Sequence, residues 1–319
     1  MTSYRGRFAP SPTGDLHLGG ACTALCAWLS ARSRRGAFVL RVEDLDTPRV
    51  IPGSEARILE DLRWIGLDWD EGPDVGGDHG PYRQAERTSL YQRAVDRLTA
   101  AGLVYPCDCS RSEIARAASA PHPGEEGPVY PGTCRTLPVD RPFKRPPALR
   151  LRVTDAEIRF EDALQGASVS QVAHDAGDFV LRRGDGLFAY QLAVVVDDLA
   201  MGITEVVRGA DLLSSTPRQV LIARLLGAEP PMFAHAPLVV SPDGSRLAKR
   251  ARGVAVRHHR EAGEDPRRLV ATLARAIGLA GDHETLLRPQ DLVDRFDWGR
   301  LRRGPVPIDP GPAIRSDQK

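Results

Sequence analysis

The sequence predicts an α/β protein with a mostly parallel sheet, interrupted by an inserted α+β subdomain and followed by a short helical C-terminal segment. Three observations lead there. Strand-like runs alternate with helix-period patterns near the start of the chain and again after residue 181. A Pro/Gly-rich tract with a different strand pattern lies between them. From about Val254 onward the pattern turns helical and polar.

Tyr4–Phe8 reads as a short strand and Ala9-Pro-Ser-Pro-Thr-Gly14 as a rigid turn, after which Ala21, Leu25, Trp28 and Leu29 recur at helical spacing. Ala37–Val42 is a second strand ending in Glu43-Asp44. A helix follows from about Ser54 to Ile65, with Ser54 as N-cap and Gly66 as stop. Residues 1–79 thus form the first half of the main domain. Residues 80–181 are the expected insertion. It holds a helix over Tyr91–Ala101, the Pro/Gly-rich Ala120–Pro147, and short strands at Leu149–Val153, Ile158–Phe160 and Phe179–Arg183 that look like a different kind of sheet. The α/β pattern resumes in 182–253 with Phe188–Val196, Ile203–Arg208, a helix over about Thr216–Leu226 and an Asp243-Gly244 turn. In 254–319, Leu269, Leu273 and Ile277 make one apolar stripe, and Pro305–Lys319 reads as a tail.

Apolar residues at 42% and charged residues at 27% are ordinary for a globular protein with a real core. No stretch approaches the roughly 20 apolar residues of a membrane helix. The N-terminus enters a predicted strand without the apolar core of a signal peptide, so a soluble cytoplasmic protein is expected. A net charge of +1 does not point to nucleic acid, but a local basic surface matters more than the total. Lys249–Arg252 and Arg300–Arg303 could supply one, and solvated helix faces account for each equally well. The five cysteines do not form a disulfide framework; Cys22 and Cys26, four apart in a predicted helix, read as small buried thiols.

Pro10-Ser-Pro-Thr-Gly-Asp-Leu-His-Leu-Gly-Gly20 is the most informative segment. It lies between a strand and a helix, where backbone N–H groups and the helix dipole favour an anion. Gly14, Gly19 and Gly20 let a ligand approach the main chain, and His17 can donate to phosphate oxygens. Far downstream, Ser245-Arg-Leu-Ala-Lys-Arg250 follows a turn. Lys249 there can close over a triphosphate and neutralise charge growing on the α-phosphate. A dicarboxylic amino acid would need a guanidinium for one carboxylate and an acidic or polar group for its ammonium; Arg7, Ser11, Glu43, Tyr190 and Arg208 are the candidates near strand ends.

With these motifs the chain resembles the class I aminoacyl-tRNA synthetases of the glutamyl type from Arg7 to about Arg250. Further matching runs are Arg41-Val-Glu-Asp-Leu-Asp46, Leu62–Asp70, Gln191–Asp198 and Arg208-Gly-Ala-Asp-Leu-Leu213. The resemblance implies a Rossmann-like class I catalytic domain. It assigns catalysis to His17 and Lys249, and ATP binding to His17, Gly19, Gly20, Arg246 and Lys249. Glutamate binding falls to Arg7, Phe8, Ala9, Pro10, Ser11, Glu43, Tyr190 and Arg208. Gly20 stands where many class I members carry a second His, and Arg246 and Ala248 depart from the usual Lys-Met-Ser-Lys-Ser-like loop.

Cys107, Cys109 and Cys134 supply three thiolates, one short of a closed tetrahedral zinc site. By simple chemistry the fourth ligand is His122; the resemblance points instead to Tyr130. One structural zinc per chain is expected. Only Ala251–Lys319 follows the second signature, which is short for an anticodon-binding region. In this the chain is similar to the glutamyl-Q tRNA(Asp) synthetase family. That likeness implies use of L-glutamate and Mg-ATP, with queuosine-bearing tRNA(Asp) as acceptor; a monomer is expected. Competing readings are a truncated glutamyl-tRNA synthetase charging the 3′ end of tRNA(Glu), a catalytically inactive RNA-binding paralogue, and a ligase acting on a non-tRNA acceptor.

Overall fold

The structure, a computed structural model, describes residues 3–117, 129–154, 157–245 and 255–309. Strand β1 (Arg5–Phe8) leads through the Pro/Gly loop into helix α1 (Leu18–Ser33), which returns to β2 (Ala37–Leu40). Helix α2 (Ser54–Trp64) follows. After α3 (Thr88–Ala100) come β3 (Val104–Cys107), α4 (Arg111–Ala117), β4 (Ala148–Leu151), the hairpin β5 (Glu157–Asp162) and β6 (Gly166–Gln171), the short α5 (Val172–Asp175) and β7 (Val180–Arg182). The chain then runs through α6 (Tyr190–Ala200), β8 (Glu205–Gly209), α7 (Thr216–Leu225), β9 (Met232–Ala236) and β10 (Val239–Val240). It ends in α8 (Val256–Glu261), α9 (Pro266–Ile277) and β11 (Val306–Pro307).

The main sheet has the order β2-β1-β8-β9-β5-β6, parallel except for the β6 edge. Period-two alternation divides its side chains between two cores. Phe38, Leu40, Val207, Ala234 and Ala236 face the core formed with α1, α2 and α9. Val39, Val206 and Phe233 face the opposite core with α3, α6 and α7. Covering both faces is what an internal parallel sheet requires. Helix α1 is buried almost all round, Cys22 and Cys26 included, as expected for a helix lying across the strands.

Four expectations change. Ile158–Phe160 does not join the separate antiparallel sheet β3-β4-β7; Asp162 pairs with Phe233, so the β5–β6 hairpin extends the main sheet. The apolar run Phe188–Val196 is mostly helix, because both of its faces are buried and periodicity alone cannot separate strand from helix there. Ser54 is the first helical residue rather than the cap; its hydroxyl donates to the Gly14 carbonyl at 2.5 Å, tying α2 to the Pro/Gly loop. The start of the supposed tail is packed: Val306 and Ile308 are buried, and β11 pairs with β10 in parallel. Residues 310–319 lie outside the described residues. No helix among the described residues is long and apolar enough to cross a membrane.

Beneath the C-terminal ends of β1 and β2, α6 carries the buried pair Asp197 and Asp198. Asp197 accepts from Arg87 Nε at 2.6 Å, Gln84 Nε2 at 2.8 Å and the Tyr91 hydroxyl at 2.8 Å. Removing one member of such a network strands the buried charge of its partner. Asp197→Ala is therefore expected to lower the unfolding free energy by about 3–5 kcal/mol, read from urea denaturation; a change within experimental error would show that the network contributes nothing.

Candidate active site and thiol cluster

Sheet order gathers the predicted residues at one end of the strands. Arg7 lies in β1, Arg208 in β8, Glu43 just beyond β2, and Tyr190 opens α6. Arg7 is buried; its Nε donates to Asp198 Oδ1 at 3.2 Å and its Nη1 to the Val207 carbonyl at 2.7 Å. Asp198 also accepts from Arg41 Nη1 at 2.7 Å, and Arg41 Nη2 reaches Glu43 at 3.3 Å. Burial pushes the Asp198 carboxyl up, but Arg41 and Arg7 together outweigh it and hold its pKa below the usual range. At Glu43 burial wins over the same two arginines, and its pKa is raised.

Phe8 is buried in the core, and Ala9 and Pro10 are half-buried in the turn. The Pro10 carbonyl accepts from the Glu43 backbone N–H at 3.0 Å, which ties the two loops together. Exposed Ser11, half-buried Glu43 and Tyr190 open onto a cleft of about 1750 Å³.

Arg208 differs from the other buried arginines. Its Nε donates to His235 Nε2 at 2.9 Å, Nη1 to Gln219 Oε1 at 2.6 Å and to the Tyr190 hydroxyl at 3.4 Å, and Nη2 to Thr216 Oγ1 at 2.8 Å. Among the described residues these partners are all neutral. Burial, together with the like charge of Arg7, pulls its pKa below the ordinary arginine value. A buried cation without a carboxylate against it is prepared to receive an anionic ligand.

His17 sits exposed at the N-cap of α1 in extended conformation, with Gly19 and Gly20 in the first turn. The ring therefore stands at the positive end of the helix. A Cβ on Gly20 would come within 3.0 Å of Leu16, whereas Gly14 borders open space. Arg246, Ala248 and Lys249 lie outside the described residues, but both flanks are placed. Ser241–Ser245 forms a tight turn with Gly244 at positive φ. Ala255 pairs with His17, and Val256 N–H donates to the Leu16 carbonyl at 2.9 Å. Ala255 and Val256 are thus stitched to the His17 loop.

At the end of β3 and beyond, the Sγ atoms of Cys107, Cys109 and Cys134 lie within 4.8 Å of one another, a group that could hold a metal ion. Cys109 and Cys134 sulfurs are 3.5 Å apart, near the roughly 3.8 Å that 2.3 Å zinc–sulfur bonds at tetrahedral angles would give. The Tyr130 hydroxyl stands 3.4 Å from Cys107 Sγ and 3.8 Å from Cys109 Sγ, and accepts from the Cys134 N–H at 2.7 Å. Arg150 stacks 3.9 Å above the Tyr130 ring, and Arg141 Nη2 lies 3.3 Å from Cys134 Sγ. Burial first, then Cys107, pushes the Tyr130 phenol well above its usual pKa. His122 lies outside the described residues. Cys109 and Tyr130 line the same cleft as Ser11, Glu43 and Tyr190, so the cluster forms part of its wall.

Sequence reasoning missed the supports behind the site. Arg41 and Asp198 lay inside the matching runs but carried no chemistry there. His235, Asp162, Thr216 and Gln219 come from separate segments with no motif around them, and no local signal marks them.

The family model for the catalytic domain of class I tRNA synthetases (E and Q) matches residues 3–307. The chain is 52% identical over 309 residues to a glutamyl-Q tRNA(Asp) synthetase of Symbiobacterium thermophilum, covering 95% of each. It is 47% identical to one of Nitratidesulfovibrio vulgaris, covering 93% of this chain and 99% of the relative. The glutamate-tRNA synthetase structure from Elizabethkingia anophelis superposes with a TM-score of 0.82 at 29% identity, over 96% of this chain and 68% of the other. With a parallel sheet covered on both faces and the signature loop at its strand ends, the chain belongs to the class I tRNA synthetase (E and Q) catalytic-domain family, and within it to the glutamyl-Q tRNA(Asp) synthetases.

Proposed function

We propose that the chain activates L-glutamate with Mg-ATP as glutamyl-adenylate, without needing tRNA for that step. It then transfers glutamate to the queuosine base at the wobble position of tRNA(Asp). The observation that carries the glutamate half is Arg208, a buried guanidinium with neutral partners, one of which, Tyr190, lines the cleft. The names of the relatives support the acceptor.

In this reading Arg208 and Arg7 provide positive charge for the substrate carboxylates. The Tyr190 hydroxyl completes the slot, and Glu43 with Ser11 faces the ammonium. Phe8, Ala9 and Pro10 shape the floor. A charged ammonium beside Glu43 would favour its ionised form and offset the desolvation that raises its pKa. The α-carboxylate attacks the α-phosphorus; a new O–P bond forms as the bond to the bridging oxygen breaks and pyrophosphate leaves. His17, Gly19 and Gly20 at the α1 N-terminus would hold phosphate oxygens, with Arg246 and Lys249 closing from the other side. Orientation and charge stabilisation then carry catalysis. A hydroxyl of the modified base next attacks the activated carbonyl, losing its proton as AMP departs.

Cys107, Cys109, Cys134 and Tyr130 would hold one zinc ion, a structural cross-link for the insertion spanning about 80–181. The main domain is then assembled from 1–79 and 182–253, with the β5–β6 hairpin added at one side of its sheet and 254–319 packing behind it.

Labelled glutamate with ATP is expected to modify queuosine-containing tRNA(Asp) and leave queuosine-lacking tRNA(Asp) unlabelled; label at the 3′ end of tRNA(Glu) would overturn the acceptor. Lys249→Ala is expected to reduce ATP–pyrophosphate exchange by at least about 100-fold with an unchanged circular dichroism spectrum, and near-normal exchange would remove its assigned role. Metal analysis should find roughly one zinc per chain, lost together with several degrees of Tm in Cys134→Ser; a metal-free wild type of full stability would dismiss the zinc site.

A further inference from the structure

Behind Arg208, two side chains that the site assignments leave out form a continuous hydrogen-bonded chain. His235 is completely buried in β9, and Asp162 is buried at the end of β5. Arg208 Nε carries a hydrogen and has no lone pair to offer, so at 2.9 Å from His235 Nε2 it must donate. His235 Nε2 is therefore the acceptor, and the ring's single hydrogen sits on Nδ1, which donates to Asp162 Oδ2 at 2.5 Å. A doubly protonated ring could not accept from Arg208. Thr216, which accepts from Nη2, also lies 3.3 Å from His235 Nε2.

Asp162 is itself held. Its Oδ1 accepts backbone N–H groups from Leu164 at 3.0 Å, Gln165 at 2.8 Å and His235 at 3.1 Å. Gln165 Nε2 donates in turn to the His235 carbonyl at 2.8 Å. Both carboxylate oxygens are thus committed, one to the backbone and one to the imidazole. We propose that Asp162 and His235 are positioning residues that fix the orientation of Arg208 through a single enforced imidazole tautomer, and so set affinity for the carboxylate of the amino-acid substrate. The inference rests on Arg208 receiving that carboxylate, as proposed above.

The geometry supplies its own test. In Asp162→Asn, an amide oxygen that keeps the three backbone N–H groups must turn its NH2 toward His235 Nδ1. The imidazole then has to accept at Nδ1 and carry its hydrogen on Nε2, facing the Arg208 N–H donor-to-donor. Shape is preserved while the link to Arg208 is broken. Expected is a rise of at least about tenfold in KM for glutamate in ATP–pyrophosphate exchange, with KM for ATP within about twofold. His235→Gln, whose amide oxygen can still accept from Arg208, should stay within about threefold of wild type, whereas His235→Leu should show the full loss. The Gln/Leu comparison serves equally if Asp162→Asn does not fold.

Nitrogen-15 spectra of the imidazole read the tautomer without any turnover: Nδ1–H in the wild type, Nε2–H in Asp162→Asn. An Nε2–H tautomer in the wild type would overturn the proposal. So would equal effects on glutamate and ATP, or equal losses in His235→Gln and His235→Leu. A wild type showing the Nδ1–H tautomer but no glutamate-dependent exchange would instead discard the functional reading on which the proposal rests.

Discussion

The site depends on burying several arginines under the ends of a parallel sheet. A guanidinium removed from water needs its donors satisfied and its charge answered. Asp198 answers Arg7 and Arg41, and Asp197 answers Arg87 and lies 3.7 Å from Arg41. Both aspartates come from one helix, so the register of α6 against β1 and β2 determines where these charges sit. Arg208 is the exception, because its donors are satisfied by neutral acceptors and, among the described residues, no carboxylate pairs with it.

This arrangement explains why the β5–β6 hairpin belongs to the main sheet. Pairing β5 with β9 places Asp162 against His235, and β9 beside β8 places His235 against Arg208. The chain between α3 and α6 therefore contributes to the site twice. Its hairpin supplies the anchor beneath Arg208, and its thiol cluster forms part of the wall of the cleft. Tyr105, Cys107, Tyr130 and Cys134 are the buried residues of the core beside that cluster. Thiols gathered this closely could hold a metal ion, which would cross-link so small a core.

Much of the site was legible in the chain because its main parts are local. Pro10–Gly20 had to be a strand–loop–helix junction, since its glycines and prolines allow little else, and α1 begins at Leu18 as the periodicity requires. The three cysteines were identifiable as a group because thiols are scarce and only these lie outside a helix. Less was legible where burial hides periodicity: Phe188–Val196 carries apolar residues on all sides, and helix won. Composition also misled at Pro305, where prolines suggested a tail but Val306 and Ile308 pack into the core.

The sequence by itself determined the layered α/β architecture, the strand–loop–helix junction that carries His17, and the identity of the residues gathered around Glu43, Tyr190 and Arg208. Those features follow from short-range periodicity, turn chemistry and a family likeness written in contiguous motifs. Only the tertiary structure decided which carboxylate answers which arginine, and that Asp162 reaches Arg208 through His235. The partners in these contacts lie tens to almost two hundred residues apart, and their pairing is set by strand order and side-chain burial, which no local pattern encodes.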